Sequence, residues 1–450
     1  MRRSFDVVVI GAGIAGVSAA HSLSSIPGVD SLALIDPRPP LSLTSDKSTE
    51  CYRNWWPNRP MIQLMNRSID ILEELAALSG NVFGLNRRGY LFVTGDEVRF
   101  QRMVTEAHHT STLGAGPVRF HPGPLPYRPS PVEGHSGAPE GADILVGGEE
   151  VTERFPFITS GAVGAIHVRR AGWLSAQQLG SWMLDRARSN GTVLIKAEVS
   201  GVDVVQGAVK GVTLTDGSEI ASRIVVNAAG PLAPAVGAMV GLDLPLFSEV
   251  HLKVAYRDHL GIVPRDAPMF IWSDPQLLPW SEAEKSGLAE EGRDDLIGEM
   301  PIYCHGRPEG GADSPYLLAL WEYHDDIREP TWPLPDDPLY PEVVMRGLTT
   351  MVPGLSSYAD RLPHSTVDGG YYTKTPENRP LIGPAGPQGH FLIAGLSGFG
   401  IMVAVGAADL LARHVGETGL PDYSDAFALS RYDDPGYTKA VGSAVDTGQL

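Results

Sequence analysis

Two cysteines in 450 residues, Cys51 and Cys304, are too few for a disulfide framework or a multi-cysteine zinc or iron–sulfur site. No continuous apolar run reaches about 18 residues, so no transmembrane helix is expected. Positive charge is scarce: 35 Lys and Arg against 53 Asp and Glu leave a net charge of −18. Such a surface repels phosphate backbones and anionic lipid, so neither nucleic acid nor membrane is an expected partner. Wholesale disorder is excluded as well, because 43% of the residues are hydrophobic and only 20% charged. Arg2 and Arg3 before an apolar stretch superficially suggest a secretory signal. Asp6 breaks its start and no polar cleavage region follows. The expectation is a cytoplasmic protein of about two to four structural units.

What is present begins at residue 5. Phe5 to Ile10 (FDVVVI) is a short β-branched apolar run that suits a strand buried on both faces. Gly11-Ala12-Gly13-Ile14-Ala15-Gly16 follows, then Val17 to Ser24 reads as a helix. Ser31 to Ile35 reads as a second strand that ends at Asp36. This is the dinucleotide-binding βαβ pattern. Gly11 permits the turn out of the strand, Gly13 lets the backbone approach a pyrophosphate, and Gly16 lets the helix pack on the sheet. The helix N-terminus offers free N–H groups to the anion. Asp36, 25 residues after Gly11, suits ribose hydroxyls and repels a 2′-phosphate. The motif alone does not choose between FAD and NAD.

Further along, Met61 to Leu78 has helical spacing of Ile62, Met65, Ile69, Leu72 and Leu75, and Gly80 stops it. Gly89 to Thr94 reads as a strand. Residues 114–148 are rich in Gly, Pro and Ser and read as a loop or excursion. Val193 to Asn227 reads as a meander ending in RIVVNAAG. Residues 246–360 are rich in aromatics and proline, with one clear strand, YLLALWEY at 316–323. The chain then closes on a second strand, glycine turn and helix: FLIAG, LSGFG and IMVAVGAADLLARHV.

Taken together, VVVIGAGIAGVSAA with Asp36, TSDKSTECYRNWW at 44–56, IVVNAAG at 224–230, and YYTKTPENRPLIGP followed by FLIAGLSGFGIM at 371–402 resemble one family. The chain is similar to FAD-dependent oxidoreductases of the D-amino-acid oxidase, sarcosine oxidase and glycine oxidase group. Only 95–160 and 258–315 lack a clear counterpart. The resemblance implies an α/β protein with a Rossmann-like FAD domain of the glutathione-reductase type, assembled from 1–84, 165–245 and 361–450. An α+β substrate domain with an antiparallel sheet would come from 85–164 and 246–360. It implies FAD contacts from Gly11, Ala12, Gly13, Ile14, Ala15, Gly16, Asp36, Pro37 and Arg38. Others would come from Ser45, Asp46, Lys47, Ser48, Arg53, Asn54 and Trp55, from Val199 largely through its backbone, and from Ala228, Ala229 and Gly230. The C-terminal turn would add Gly395, Ser397, Gly398, Phe399, Gly400, Ile401 and Met402, whose N–H groups stabilise negative charge on reduced flavin.

The activity implied is hydride transfer from a carbon bearing nitrogen to flavin N5, followed by hydrolysis of the imine. The substrate would be an amine or N-substituted amino acid, the acceptor oxygen or another oxidant. Arg53, Tyr372 and Lys374 are the residues expected at the reacting atoms. Two positions depart from the sarcosine oxidase pattern: Trp56 and Met402 stand where that pattern has cations for a substrate carboxylate. An unpaired carboxylate there would be costly. Arg307, Lys374 and His251 are alternative anchors. An aromatic pocket of Trp55, Trp56, Tyr372, Trp321 and Tyr323 would favour a bulkier or less acidic amine. Trp321 and Tyr323 share one strand face, which is either pocket or core. His251 and Lys253 are expected to be solvated. A covalent flavin link through Cys51 competes with its reading as a small buried cysteine. A 2-hydroxy-acid oxidase on the same fold, or a flavoprotein kept for assembly or partner binding, are the alternatives.

Overall fold

The computed structural model describes residues 3–324, 326–359 and 361–437. The stretch 438–450, assigned from sequence to the last cofactor segment, lies outside the described residues.

The N-terminal apolar run is Val7–Ile10, buried at all four positions. Its alternation explains the continuous hydrophobicity. Val7 and Val9 face a core shared by the helices Ile14–Leu23, Arg59–Ser79, Ala176–Ser189 and Gly400–Val415. Val8 and Ile10 face the opposite way, onto a small four-stranded sheet that includes Val199–Val205 and Ala208–Leu214. A strand with two buried faces has no polar side to display. Leu32–Ile35 and Ile224–Asn227 flank it in parallel. Thr192–Ile195 lies outside the former and His390–Ala394 outside the latter, with Leu381–Pro384 as an antiparallel edge.

The helix Arg59–Ser79 starts at Asn58, whose side chain accepts the Met61 N–H, and stops at Gly80 with φ +68°. The segment Ser397–Val415 is long and apolar enough, by length and composition, to cross a membrane, contrary to the reading of the sequence. Two-thirds of it (67%) is buried inside the fold, and that packing accounts for its apolarity.

A second sheet has nine strands. In spatial order they are 365–374, 247–257, 316–320, 304–309, 269–272, 90–94, 164–168, 142–146 and 118–121. Six of its eight pairings are antiparallel. The two parallel ones join 269–272 to 90–94 and 118–121 to 142–146. The strands Gly164–Val168 and Ser365–Lys374 belong to this sheet, although the sequence boundaries give 165–245 and 361–450 to the nucleotide unit. The stretch 114–148 is only partly a loop: Val118–His121 and Ala142–Val146 are strands, and the Gly- and Pro-rich composition between them masks their short apolar runs.

Candidate functional site

The parallel strands of the first sheet deliver their C-terminal ends to one cleft with about 1060 Å³ of empty space. Val7–Ile10 ends at Gly11, Leu32–Ile35 at Asp36, Ile224–Asn227 at Ala228, and His390–Ala394 at Gly395. All four of these end residues line the cleft. Gly11 has φ +102°, and a Cβ there would lie 2.5 Å from the Ala228 carbonyl oxygen. Gly16 is equally constrained, because its Cβ would sit 1.8 Å from the Gly11 oxygen. The Asp36 carboxylate braces the turn. It accepts the Ala12 N–H (2.8 Å) and the Arg38 N–H (2.8 Å), and it also lines the cleft.

Two helices open onto this space with no capping side chain of their own: Ile14–Leu23 behind Gly13, and Gly400–Val415 behind Phe399. Their starts adjoin, since a Cβ on Gly400 would lie 3.9 Å from Ile14 Cγ2. Two positive dipole ends therefore converge on one cleft. Ser45 Oγ accepts the Ile14 N–H (2.9 Å). Lys47 adds positive charge, held by Asp46 (2.7 Å) and Asp368 (3.0 Å). Lys253 donates to the Ser48 carbonyl (2.8 Å), and burial lowers its pKa. Turn N–H groups, hydroxyls and one acid at the end of the second strand form a donor set that fits a dinucleotide with an anionic middle and a ribose end.

Beyond Gly398 and Tyr372 lies a smaller chamber of about 420 Å³. Gly398, Tyr372 and Leu320 line both spaces. A Cβ on Gly398 would lie 2.3 Å from the Tyr372 ring, so only glycine permits this contact. The other face of Tyr372 stacks on His251, with centroids 3.9 Å apart at 16°. His251 is buried, with Nε2 3.2 Å from Glu249 and Nδ1 3.5 Å from Glu322. Arg53 sits over Trp56 (4.7 Å), and Trp56 packs edge-on against Phe399 (4.9 Å). His305 donates through Nδ1 to the Tyr303 carbonyl (2.7 Å), and burial depresses its pKa to about 4. Cys51 donates to the Thr49 carbonyl (3.2 Å), and burial raises its pKa.

Most residues expected at the cofactor are at the cleft: Gly11 to Ala15, Asp36, Ser45, Lys47, Ser48, Ala228 to Gly230, Gly395, Ser397, Gly398, Gly400 and Ile401. Arg53, Phe399 and Met402 line the inner chamber instead. Several others lie apart. Pro37 is exposed, and Arg38 folds over Trp332 (5.4 Å). Asp46 is bound to Lys47 and Gln177 (2.6 Å) and does not line the cleft. Asn54 is buried on Asn66 and the Ala115 carbonyl, and Trp55 lines a different cavity. The Val199 side chain is in the core of the small sheet, which leaves only its backbone for the contact implied.

Of the expected substrate residues, Trp56 and Tyr372 line the chamber, and His251 lines the cleft behind Tyr372. Arg307 does not: its buried guanidinium donates to the Thr49 carbonyl (3.1 and 2.7 Å) and pairs with Glu309 (2.5 Å). Lys374 pairs with Glu249 (2.6 Å). Trp321 is core, with its indole N–H on the Pro301 carbonyl (3.0 Å), and the Tyr323 hydroxyl is held by Asp337 (3.0 Å). Leu320 and Glu322, on the opposite face of that segment, look into the chamber. His251 is buried and Lys253 half-buried, so neither is the solvated residue expected, and both line the cleft. Sequence reasoning does not bring Glu322, His305, Tyr90 or Lys253 to the site; an acid interrupting the apolar run at 322 is the available signal.

In sequence, mitochondrial dimethylglycine dehydrogenase of Mus musculus is 23% identical over 419 residues. That match covers 90% of this chain and 42% of the mouse protein, so the chain spans less than half of that relative. In fold, the L-proline dehydrogenase of P. horikoshii superposes with a TM-score of 0.73 at 20% identity, over 96% of this chain and 99% of that one. The glycine oxidase of Geobacillus kaustophilus gives a TM-score of 0.73 at 17% identity, over 95% and 99%. Residues 6–414 match the DAO family, described as FAD dependent oxidoreductase, and the chain belongs to that family.

Proposed function

We propose that this protein oxidises a C–N bond of an amine or N-substituted amino acid. The observation that carries the reading is the inner chamber, which shares Gly398, Tyr372 and Leu320 with the nucleotide cleft and holds a carboxylate, Glu322. FAD would be held by the Gly11–Ala15 turn, Asp36, Ser45, Lys47 and the Gly395–Ile401 turn. When bound it supplies the acceptor for a hydride equivalent. The names of the similar proteins support the choice of substrate, because dimethylglycine, proline and glycine are all amines.

The protein's part is orientation, exclusion of water and proton handling. Tyr372, fixed between Gly398 and His251, forms a flat wall. Glu322 accepts an N–H of the amine. The substrate carbon gives up a hydride equivalent (a proton with two electrons), the nitrogen gives up a proton, and water hydrolyses the resulting imine to a carbonyl compound and an amine. His251, between Glu249 and Glu322, stands where that proton leaves. Trp56, Phe399 and Met402 keep water out; Trp56 and Met402 offer a carboxylate no charge, and the Arg53 guanidinium in the same lining is stacked on Trp56. A bulkier or less acidic amine than sarcosine is therefore preferred.

The test is anaerobic titration of the FAD-saturated protein with a panel of amines and 2-hydroxy acids, read by the flavin absorption. Bleaching by hindered secondary amines, with sarcosine slower, is the expected result. Bleaching by hydroxy acids alone, or by nothing in the panel, would overturn the proposal.

A further inference from the structure

A third cavity adjoins the chamber. Arg53 and Trp56 line both, so the two spaces share a wall. The outer one holds about 1360 Å³ of empty space. Arg102, Thr105, Glu106 and His109 line it and stand on the solvent side of their helix, so it opens to solvent. One side is a face of the helix Glu97–Thr110, where Arg99 and Arg102 stand three residues apart. The other side is aromatic, with Trp55, Phe92 and Tyr303.

The charge here runs against that of the whole chain. In a protein of net charge −18, this lining carries Arg53, Arg99 and Arg102 against one acid, Glu106. Arg99 is 3.5 Å from Asp274. Arg102 forms no salt bridge among the described residues. Ser273, in the wall, is 2% exposed, and its hydroxyl has no hydrogen-bond partner there. A planar guanidinium without a carboxylate, beside an aromatic surface, is suited to a carboxylate carried on an apolar body.

Resting on the amine chemistry proposed above, we infer that this cavity is the site for the far end of the substrate. The nitrogen-bearing carbon lies in the inner chamber. An aromatic or alkyl body lies against Trp55, Phe92 and Tyr303, and a terminal carboxylate meets Arg102 and Arg99. The substrate class is thus an amine with a remote acidic tail, and Trp56 and Met402 face its middle.

The test uses FAD-loaded protein and two unreactive probes, 3-phenylpropionate and 3-phenylpropionamide, titrated by calorimetry and by perturbation of the flavin spectrum. The acid should bind about tenfold more tightly than the amide or better. Arg102→Ala, a substitution at an exposed position, should remove most of that advantage and leave the amide and FAD affinities unchanged. Arg99→Ala should deepen the loss, and added salt should weaken binding of the acid alone. Equal binding of acid and amide, no binding of either, or an Arg102→Ala protein that keeps the preference would overturn the inference. If Arg102-dependent acid binding is seen while no amine bleaches the flavin, the carboxylate site stands and the amine chemistry falls. If amines bleach the flavin without Arg102-dependent binding, the amine chemistry stands and the carboxylate site falls.

Discussion

Gly398→Ala puts one methyl group between the two spaces of the site. Gly398 lies in the turn Ser397–Phe399 and its φ is not positive, so the backbone accepts alanine and the whole effect is steric. The new Cβ would meet Tyr372 at 2.3 Å (Cε2), 2.7 Å (Cζ) and 2.8 Å (Cδ2). Restoring an ordinary contact of 3.4 Å requires the ring to retreat by about 3.4 − 2.3 = 1.1 Å. Behind it the His251 ring is already at 3.9 Å, nearly parallel and 5% exposed, so there is no room. Overpacking of this kind costs about 1–3 kcal/mol, or roughly 5- to 150-fold in an equilibrium. FAD affinity should weaken within that range, because the ring relaxes only into the cleft or the chamber. The melting temperature should also fall by about a few degrees. Fluorescence titration with FAD and thermal melting read both effects. In a Tyr372→Ala background the same Gly398→Ala change should be nearly neutral, leaving a coupling of about 1–3 kcal/mol. Unchanged FAD affinity and melting temperature, or an equal loss in both backgrounds, would refute the role given to this contact.

Three further outcomes are expected. His305 is held neutral, with a folded pKa of about 4 against an ordinary 6.5, so the unfolded chain binds its proton first. Stability should therefore fall between about pH 6.5 and about pH 4 by on the order of 3 kcal/mol from this residue. Urea unfolding of His305→Asn should show that slope flattened. Cys51 is a buried thiol bound to the Thr49 carbonyl with its pKa raised, so it is not a thiolate. Acid precipitation should release the yellow colour into the supernatant, and colour in the pellet would contradict this. Arg307→Met should cost about 2–3 kcal/mol by freeing the Thr49 carbonyl and Glu309, measured by denaturant unfolding. Amines with and without a carboxylate should lose turnover equally. A loss confined to carboxylates would return Arg307 to the role of anchor.

The two halves of the site differ in how they are written in the chain. The nucleotide side is made by backbone turns that are contiguous in sequence, so Gly11, Gly16 and Asp36 announce their positions through local sterics. The chamber side depends on which face of a strand is turned inward, and that is fixed by partners hundreds of residues away. In YLLALWEY both faces are apolar or aromatic at most positions. Parity groups Trp321 with Tyr323 without saying which face is core, and the packing against the helix Tyr340–Met351 decides it. The same holds for Arg307: a buried arginine serves as an anchor or a strut, and only the Thr49 carbonyl beside it shows the latter.

Where the resemblance to known oxidases thins, the cause is also local. Residues 95–160 supply Arg99 and Arg102, and residues 258–315 supply Ser273, Tyr303 and His305. None of these residues lines the cleft that would hold FAD. A chain that keeps its cofactor surface and varies the walls beyond it changes what it oxidises without changing how. Exchanging the helix Glu97–Thr110 should therefore alter discrimination among substrate tails, measured as ratios of kcat/KM, while FAD affinity stays constant. A swap that lowered FAD affinity as much as it shifted those ratios would show that the two functions are not separable in this fold.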